Sequence, residues 1–346
     1  MDKKDEIILQ QLETIRTMTE RNLRSMGGDF WGTPFENVTG APETKPASKD
    51  GGGKPAAAQP AEKKADEPEP LPKENLADLQ AELDSYIGLA DVKEEVKNLI
   101  NMVNVYKLRR AHDLPTTDMS LHMVFTGNPG TGKTMMARMM ARIYRSLDIL
   151  SKGQLVEVDR SGLVAGYVGQ TALKTQKVIE KAMGGVLFID EAYALNGKSE
   201  NDFGQEAIDT ILKAMEDHRD DLVVIVAGYT DLMEKVIHSN PGLESRFNRC
   251  LLFEDYSPDE MLAMFRMQCK KGCYQLAEGT EELVRDYINE ENGDPETFGN
   301  ARGVRNCFEH ILVAQNNRLA AMESVTKDDL MTIIPDDVLY ARGKLD

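Results

Sequence analysis

The sequence is poor in the residues that build metal clusters and disulfide frameworks. Four cysteines and five histidines are spread over 346 residues. Cys250, Cys269, Cys273 and Cys307 show no metal-ligand spacing with histidines nearby, so they read as reduced thiols. Tryptophan occurs once, at Trp31. No apolar run reaches the roughly 20 residues that a membrane-spanning helix needs. Positive charge is in deficit: 41 Lys and Arg against 58 Asp and Glu give a formal net charge of −17. A duplex binder needs a basic face to displace counterions, so nucleic acid is not the expected partner, although a local basic channel stays open. The start, Met1-Asp2-Lys3-Lys4-Asp5-Glu6, is too acidic for a signal peptide, and the expected location is the cytoplasm.

What is present falls into segments. Ile7, Ile8, Leu12, Ile15, Met18 and Leu23 recur at helical spacing and predict an amphipathic helix over about residues 5–26. Its mixed charges argue against a membrane surface. Phe30, Trp31 and Phe35 follow, either as a docking motif for an adaptor or folded back onto the helix. From about Thr39 to Pro72 the chain is rich in Pro, Ala, Gly, Lys and Glu and reads as a flexible linker. Further on, short β-branched runs alternate with helical patterns: 122–126, 155–158, 186–189, 223–227 and 250–253. That alternation predicts a five-stranded parallel sheet flanked by helices. After Ser257 the pattern is helical.

Gly127-Asn128-Pro129-Gly130-Thr131-Gly132-Lys133-Thr134 matches G-x-x-x-x-G-K-[ST] between an apolar strand and a helix. The glycines let backbone N–H groups turn inward around phosphates, and the helix N-terminus adds positive field. Lys133 is placed to reach the β- and γ-phosphates of ATP, and the Thr134 hydroxyl to bind Mg²⁺. Chance yields roughly 0.01 such matches in a chain this long. Val186-Leu187-Phe188-Ile189 then ends in Asp190-Glu191, two carboxylates at the C-terminal end of a buried strand. Asp190 suits Mg²⁺, and Glu191 suits the general base for an attacking water.

The Asp190-Glu191 pair and the helical lid resemble AAA+ ATPases. Tyr86-Ile87-Gly88-Leu89-Ala90-Asp91-Val92-Lys93, Gly166-Tyr167-Val168-Gly169-Gln170-Thr171, Ala227-Gly228-Tyr229 and Phe298-Gly299-Asn300-Ala301-Arg302 narrow this to the CbbX and stage V sporulation protein K group. The resemblance covers about residues 78–340. It implies an AAA+ P-loop domain over 76–256 and a small α-helical lid over 257–346, after an N-terminal arm (1–38) and a linker (39–75).

The resemblance also implies roles. Ile87, Gly88 and Leu89 would line the adenine pocket, with plain packing at a helix junction as the alternative. Arg246 would reach the γ-phosphate on a neighbouring subunit; the alternative is an ion pair with Glu244 or Glu254, and Arg249 is a second candidate. Arg302 would sense the nucleotide in cis from the lid, or sit on the surface. Many AAA+ proteins carry an Asn after the fourth strand; here Tyr229 or Thr230 stands at that place. Tyr167 and Val168 would grip peptide in a central pore, or Tyr167 would pack on its own domain. The implied function is a homo-oligomeric ring, expected to be a hexamer, that hydrolyses ATP to remodel a client protein. A Rubisco-activase-like remodeller is a narrower version. A nucleotide-gated scaffold and a DNA clamp-loader or helicase factor are the other classes weighed. Glu191 and Arg246 count against the scaffold, and the acidic balance against the DNA factor.

Overall fold

The apolar runs become the strands of one parallel sheet. The computed structural model describes residues 70–116, 120–167, 169–196 and 203–344. The expected N-terminal helix, the docking segment, most of the linker and Val168 lie outside the described residues. Helices α1 (Leu76–Ser85) and α2 (Ala90–Ala111) precede β1 (Met123–Gly127), and α3 (Lys133–Ser146) leads to β2 (Leu155–Val158). After α4 (Arg160–Leu163) and α5 (Thr171–Ala182) comes β3 (Val186–Ile189). A 3₁₀ turn (Ala192–Leu195) and α6 (Gly204–Asp217) lead to β4 (Val223–Gly228). Then α7 (Thr230–Ser239) and α8 (Pro241–Arg246) lead to β5 (Cys250–Phe253).

The strand order is β2-β3-β4-β1-β5, with every pairing parallel. Alternate side chains of each inner strand enter opposite cores. Met123, Phe125, Val186, Phe188, Val223 and Ile225 join α2 and α3 on one face. On the other, Val124, Leu187, Ile189, Val224 and Val226 join α5, α6 and α7. Both faces are covered, which is why the inner strands are apolar at successive positions and not only at alternate ones. The two edge strands differ: in β5 Leu251 and Phe253 are buried while Leu252 is 48% exposed, and no residue of β2 is fully buried.

Residues 71–74, expected within the linker, are bound to the core. The Leu71 N–H donates to the Lys152 carbonyl at 2.9 Å, and Arg145 Nε donates to the Leu71 carbonyl at 3.1 Å. Arg142 holds Glu74 and Glu82 together with four hydrogen bonds of 2.6–2.8 Å. This Arg142 fork keeps both carboxyls below their ordinary range.

The lid packs around its own core of Met261, Phe265, Val304, Phe308 and Ile311. It contains α9 (Pro258–Lys271), β6 (Gln275–Leu276), α10 (Thr280–Glu291), α11 (Pro295–Phe298), α12 (Ala301–Ala320), α13 (Lys327–Met331), β7 (Thr332–Ile333) and α14 (Pro335–Ala341). Ser257 and Glu260 form a capping box that starts α9. The lid is therefore not purely helical: β6 and β7 pair in parallel. Two-residue strands carry too little alternation to be visible in sequence.

Just before β1, His122 is buried and accepts the Val224 N–H at its Nδ1, 3.0 Å away. Burial pushes its pKa from 6.5 down to about 4. The folded chain thus keeps His122 neutral where the unfolded chain takes up a proton. Its contribution to stability is whole above pH 6.5 and is lost progressively between pH 6.5 and 4. The loss reaches about 3 kcal/mol. Urea unfolding across that range should show a falling midpoint for the native chain and a shallower fall for His122→Gln. Equal slopes would contradict the assignment.

Candidate functional site

Because β3, β4 and β1 are neighbours, their C-terminal ends open side by side. Ile189 is level with Val226 and Thr126 with Gly228. Asp190-Glu191, Tyr229 and the Gly127–Thr134 loop therefore share one edge of the sheet. Between this edge and the lid lies a cleft of about 570 Å³. Lys133, Thr134, Asp190, Glu191 and Tyr229 line it from the core, and Arg302 lines it from α12.

The loop is shaped for an anion. Gly132, the residue before α3, has φ +100, and neither it nor any acidic residue in the first turn caps that helix. The orphan N–H groups of a 14-residue helix are thus left for a ligand at its positive end. Lys133 is the first residue of α3, two positions earlier than the sequence pattern places the start. Its Nζ bends back to donate to the carbonyls of Gly127 at 2.8 Å and Asn128 at 2.7 Å. Burial lowers the Lys133 pKa to about 8; Asp190 partly offsets this and Arg302 adds to it.

Glu191 has φ +49, a left-handed conformation uncommon for a glutamate, and its N–H donates to Asp190 Oδ1 at 3.0 Å. Tyr193, a residue the sequence did not single out, stands close enough to Glu191 to feel its charge. Burial and the Glu191 charge push the Tyr193 hydroxyl up to about 12. Its ring packs on Tyr229, with centroids 5.9 Å apart. Tyr229 faces the cleft; Thr230, the other candidate at that place, begins α7 and is not among its lining residues.

Other expected residues lie elsewhere. Ile87, Gly88 and Leu89 do not line this cleft. Ile87 and Leu89 pack against the lid core, and a Cβ on Gly88 would lie 2.6 Å from Glu260 Oε1. Leu89 also stands beside Gly132, so the segment wedges between the lid and the phosphate loop. Arg246 is on α8, away from the cleft. It donates to Glu216 Oε2 at 3.2 Å and to the Gly242 carbonyl at 3.3 Å, and its Nε is buried without a hydrogen-bond partner. The ion-pair partner is therefore Glu216, rather than the expected Glu244 or Glu254. Arg249 Nη2 meets the Met102 sulfur at 3.3 Å. Tyr167 is 74% exposed, so it does not pack on its own domain.

Residues 123–255 match the ATPase family associated with various cellular activities (AAA), and residues 257–345 match the AAA lid domain. The chloroplastic ribulose bisphosphate carboxylase/oxygenase activase of Cyanidioschyzon merolae is 44% identical over 78% of this chain and 92% of that protein. The chain belongs to the AAA ATPase family. Within it, stage V sporulation protein K of Bacillus subtilis is 39% identical over 76% of this chain and 82% of that protein. Among solved structures, the FIGL-1 AAA domain in complex with ADP has a TM-score of 0.52 at 17% identity, covering 80% of this chain and 93% of that one. That likeness shows the fold alone. Family membership makes this a nucleotide-binding protein, and the AAA and lid matches meet at the cleft described above.

In this AAA ATPase the lid and the phosphate loop touch at Gly130. Its φ is +73, and a Cβ there would lie 2.1 Å from the Gly299 carbonyl oxygen. Gly279 has a similar φ of +77 but nothing within 4 Å of its Cβ position. Both Gly→Ala changes strain the backbone, and each costs about 1 kcal/mol or more. Only Gly130→Ala adds the collision. Thermal unfolding should place Gly130→Ala several degrees below Gly279→Ala; equal midpoints would mean that the lid can yield at this contact.

Proposed function

We propose that this chain hydrolyses ATP, assembles as a ring expected to hold six copies, and remodels or partly threads a client protein through its pore. Support comes from the separation of the site's parts. The cleft gathers Lys133, Thr134, Asp190, Glu191 and Arg302, whereas Arg246 lies on another face of the same chain. An arginine there serves a nucleotide bound by a neighbouring copy. A guanidinium suits that task, being always charged and able to bridge oxygens in the transition state.

The residues fit Mg-ATP. Mg²⁺ keeps most of its waters and takes only one or two protein oxygens beside the phosphates. Thr134 and Asp190, which both line the cleft, supply such oxygens. Bound Mg²⁺ would neutralise charge on the β- and γ-oxygens. Lys133 would leave the Gly127 and Asn128 carbonyls for the phosphates. Glu191 would accept the proton of the attacking water. Tyr229, backed by Tyr193, would orient that water, and Arg302 would carry the state of the cleft into the lid. Exposed Tyr167, with Val168 beside it, would grip an extended peptide by apolar contact.

The printed names of the relatives favour a narrower second reading. One relative, matched over 92% of its own length, is named as a Rubisco activase, so a Rubisco-activase-like remodeller fits the 78% of this chain that it covers. The other is named for sporulation, so the shared machinery does not by itself select the client.

Glu191→Gln and Arg246→Ala should each lower kcat by about 100-fold or more, while Glu191→Gln still binds ATP and Lys133→Ala does not. Mixing the first two decides the geometry. A Glu191→Gln copy beside an Arg246→Ala copy rebuilds one complete site, so the mixture should recover part of the lost rate. A mixture no faster than its components contradicts the ring.

A pH dependence follows from Lys133. Phosphates raise its pKa from about 8, so binding takes up a proton once the pH passes that value. Apparent affinity for ATP should therefore fall as the pH rises through about 8. Calorimetric titration in buffers of different ionisation enthalpy should register the uptake. Constant affinity from pH 7 to 9 would contradict this.

A further inference from the structure

Every residue from Asn128 to Thr131 is tied to the lid or to the hinge that leads into it. Asn128 Nδ2 donates to both carboxylate oxygens of Asp255, at 3.1 and 2.9 Å. The Pro129 carbonyl accepts from Asn300 Nδ2 at 3.3 Å. The Gly130 carbonyl accepts from the Ala301 N–H at 3.4 Å. The Thr131 carbonyl accepts from the Tyr256 hydroxyl at 3.1 Å.

Asn300 is the centre of this set. It is wholly buried and stands at the N-cap of α12, where an asparagine usually accepts an N–H of its own helix. Here the side chain makes no such bond. Its Oδ1 accepts the Tyr256 N–H at 3.0 Å, and its Nδ2 donates to Asp255 Oδ1 at 2.8 Å as well as to Pro129. The backbone is at φ +53, ψ −123, the mirror of an ordinary turn conformation and glycine's territory. A buried asparagine held in a strained conformation, with its amide diverted from capping to a phosphate loop, has a task beyond starting a helix.

We propose that Asn300, acting through Asp255 and Asn128, is a positioning residue that couples the shape of the phosphate loop to the placement of the lid helix α12. The proposal rests on the nucleotide-binding reading of the cleft. Lys133 now holds the Asn128 carbonyl. When phosphates draw Lys133 away, the loop at Asn128 shifts, and Asp255 passes the shift to Asn300. Arg302 is two residues further on, so the guanidinium moves with the same bond set.

The test is a double-mutant cycle read by fluorescence titration with mant-ATPγS. Asn300→Gly keeps the φ and removes the amide; Asn128→Ala removes the other donor to Asp255. Each should weaken binding by about tenfold, and the double variant by no more than the weaker single. Purely structural roles would lower the thermal midpoint while leaving affinity unchanged or the two effects multiplicative. Either of those results overturns the coupling. Asp255 is exposed, so Asp255→Ala replaces Asn300→Gly in the cycle should the latter unfold. A folded native chain that fails to bind mant-ATPγS would instead overturn the nucleotide reading, and the coupling with it.

Discussion

The parallel pairing of β3, β4 and β1 places three strand ends at one edge of the sheet, and the contents of the cleft depend on it. Parallel strands require crossovers, and each crossover begins with a loop at this edge. The loop after β1 turns into α3 and offers its N–H groups. The loop after β3 carries Asp190 and Glu191, and the one after β4 carries Tyr229. Apolar side chains on both faces fix the register, since a slip of one residue would carry each side chain to the opposite core. The acidic and basic groups of the cleft are thus aligned by hydrophobic packing many residues away.

Against this edge sits the lid. It has a hydrophobic core of its own, joined to the sheet domain through the hinge at Asp255 and Tyr256. Its approach to the phosphate loop is close enough that Gly130 tolerates no side chain. Beside the apolar wedge of Ile87 and Leu89, the direct contact between lid and loop is polar: amides, a carboxylate, a phenol and backbone carbonyls. Such bonds contribute about 1 kcal/mol each and can exchange partners, unlike an interlocked apolar core. That makes the junction a reasonable place for two domains to move relative to one another while the sheet stays rigid.

Much of this was legible in the sequence. The phosphate loop is readable because backbone geometry around phosphates demands glycine at fixed spacing. Asp190-Glu191 is readable because two charges end a four-residue apolar run. The five β-branched runs coincide with the five strands to within one residue at each end. What stayed hidden depends on contacts across long stretches of chain. Asn128 meets Asp255 from 127 residues away, and Asn300 meets Pro129 from 171. Arg246 pairs with Glu216 because the end of α6 lies beside α8, and no local pattern records that proximity. Tyr193 follows Glu191 by only two residues, yet the 3₁₀ turn that sets its ring on Tyr229 has no sequence period of its own. The lid's two-residue strands escaped for the same reason.

The central claim is that one chain supplies an incomplete site, which a second copy completes. Sedimentation of the full chain with and without mant-ATPγS tests this most directly. A discrete closed assembly that forms or tightens with nucleotide, six copies by expectation, is the predicted result. A chain that hydrolyses ATP at full rate as a monomer at every concentration would contradict it.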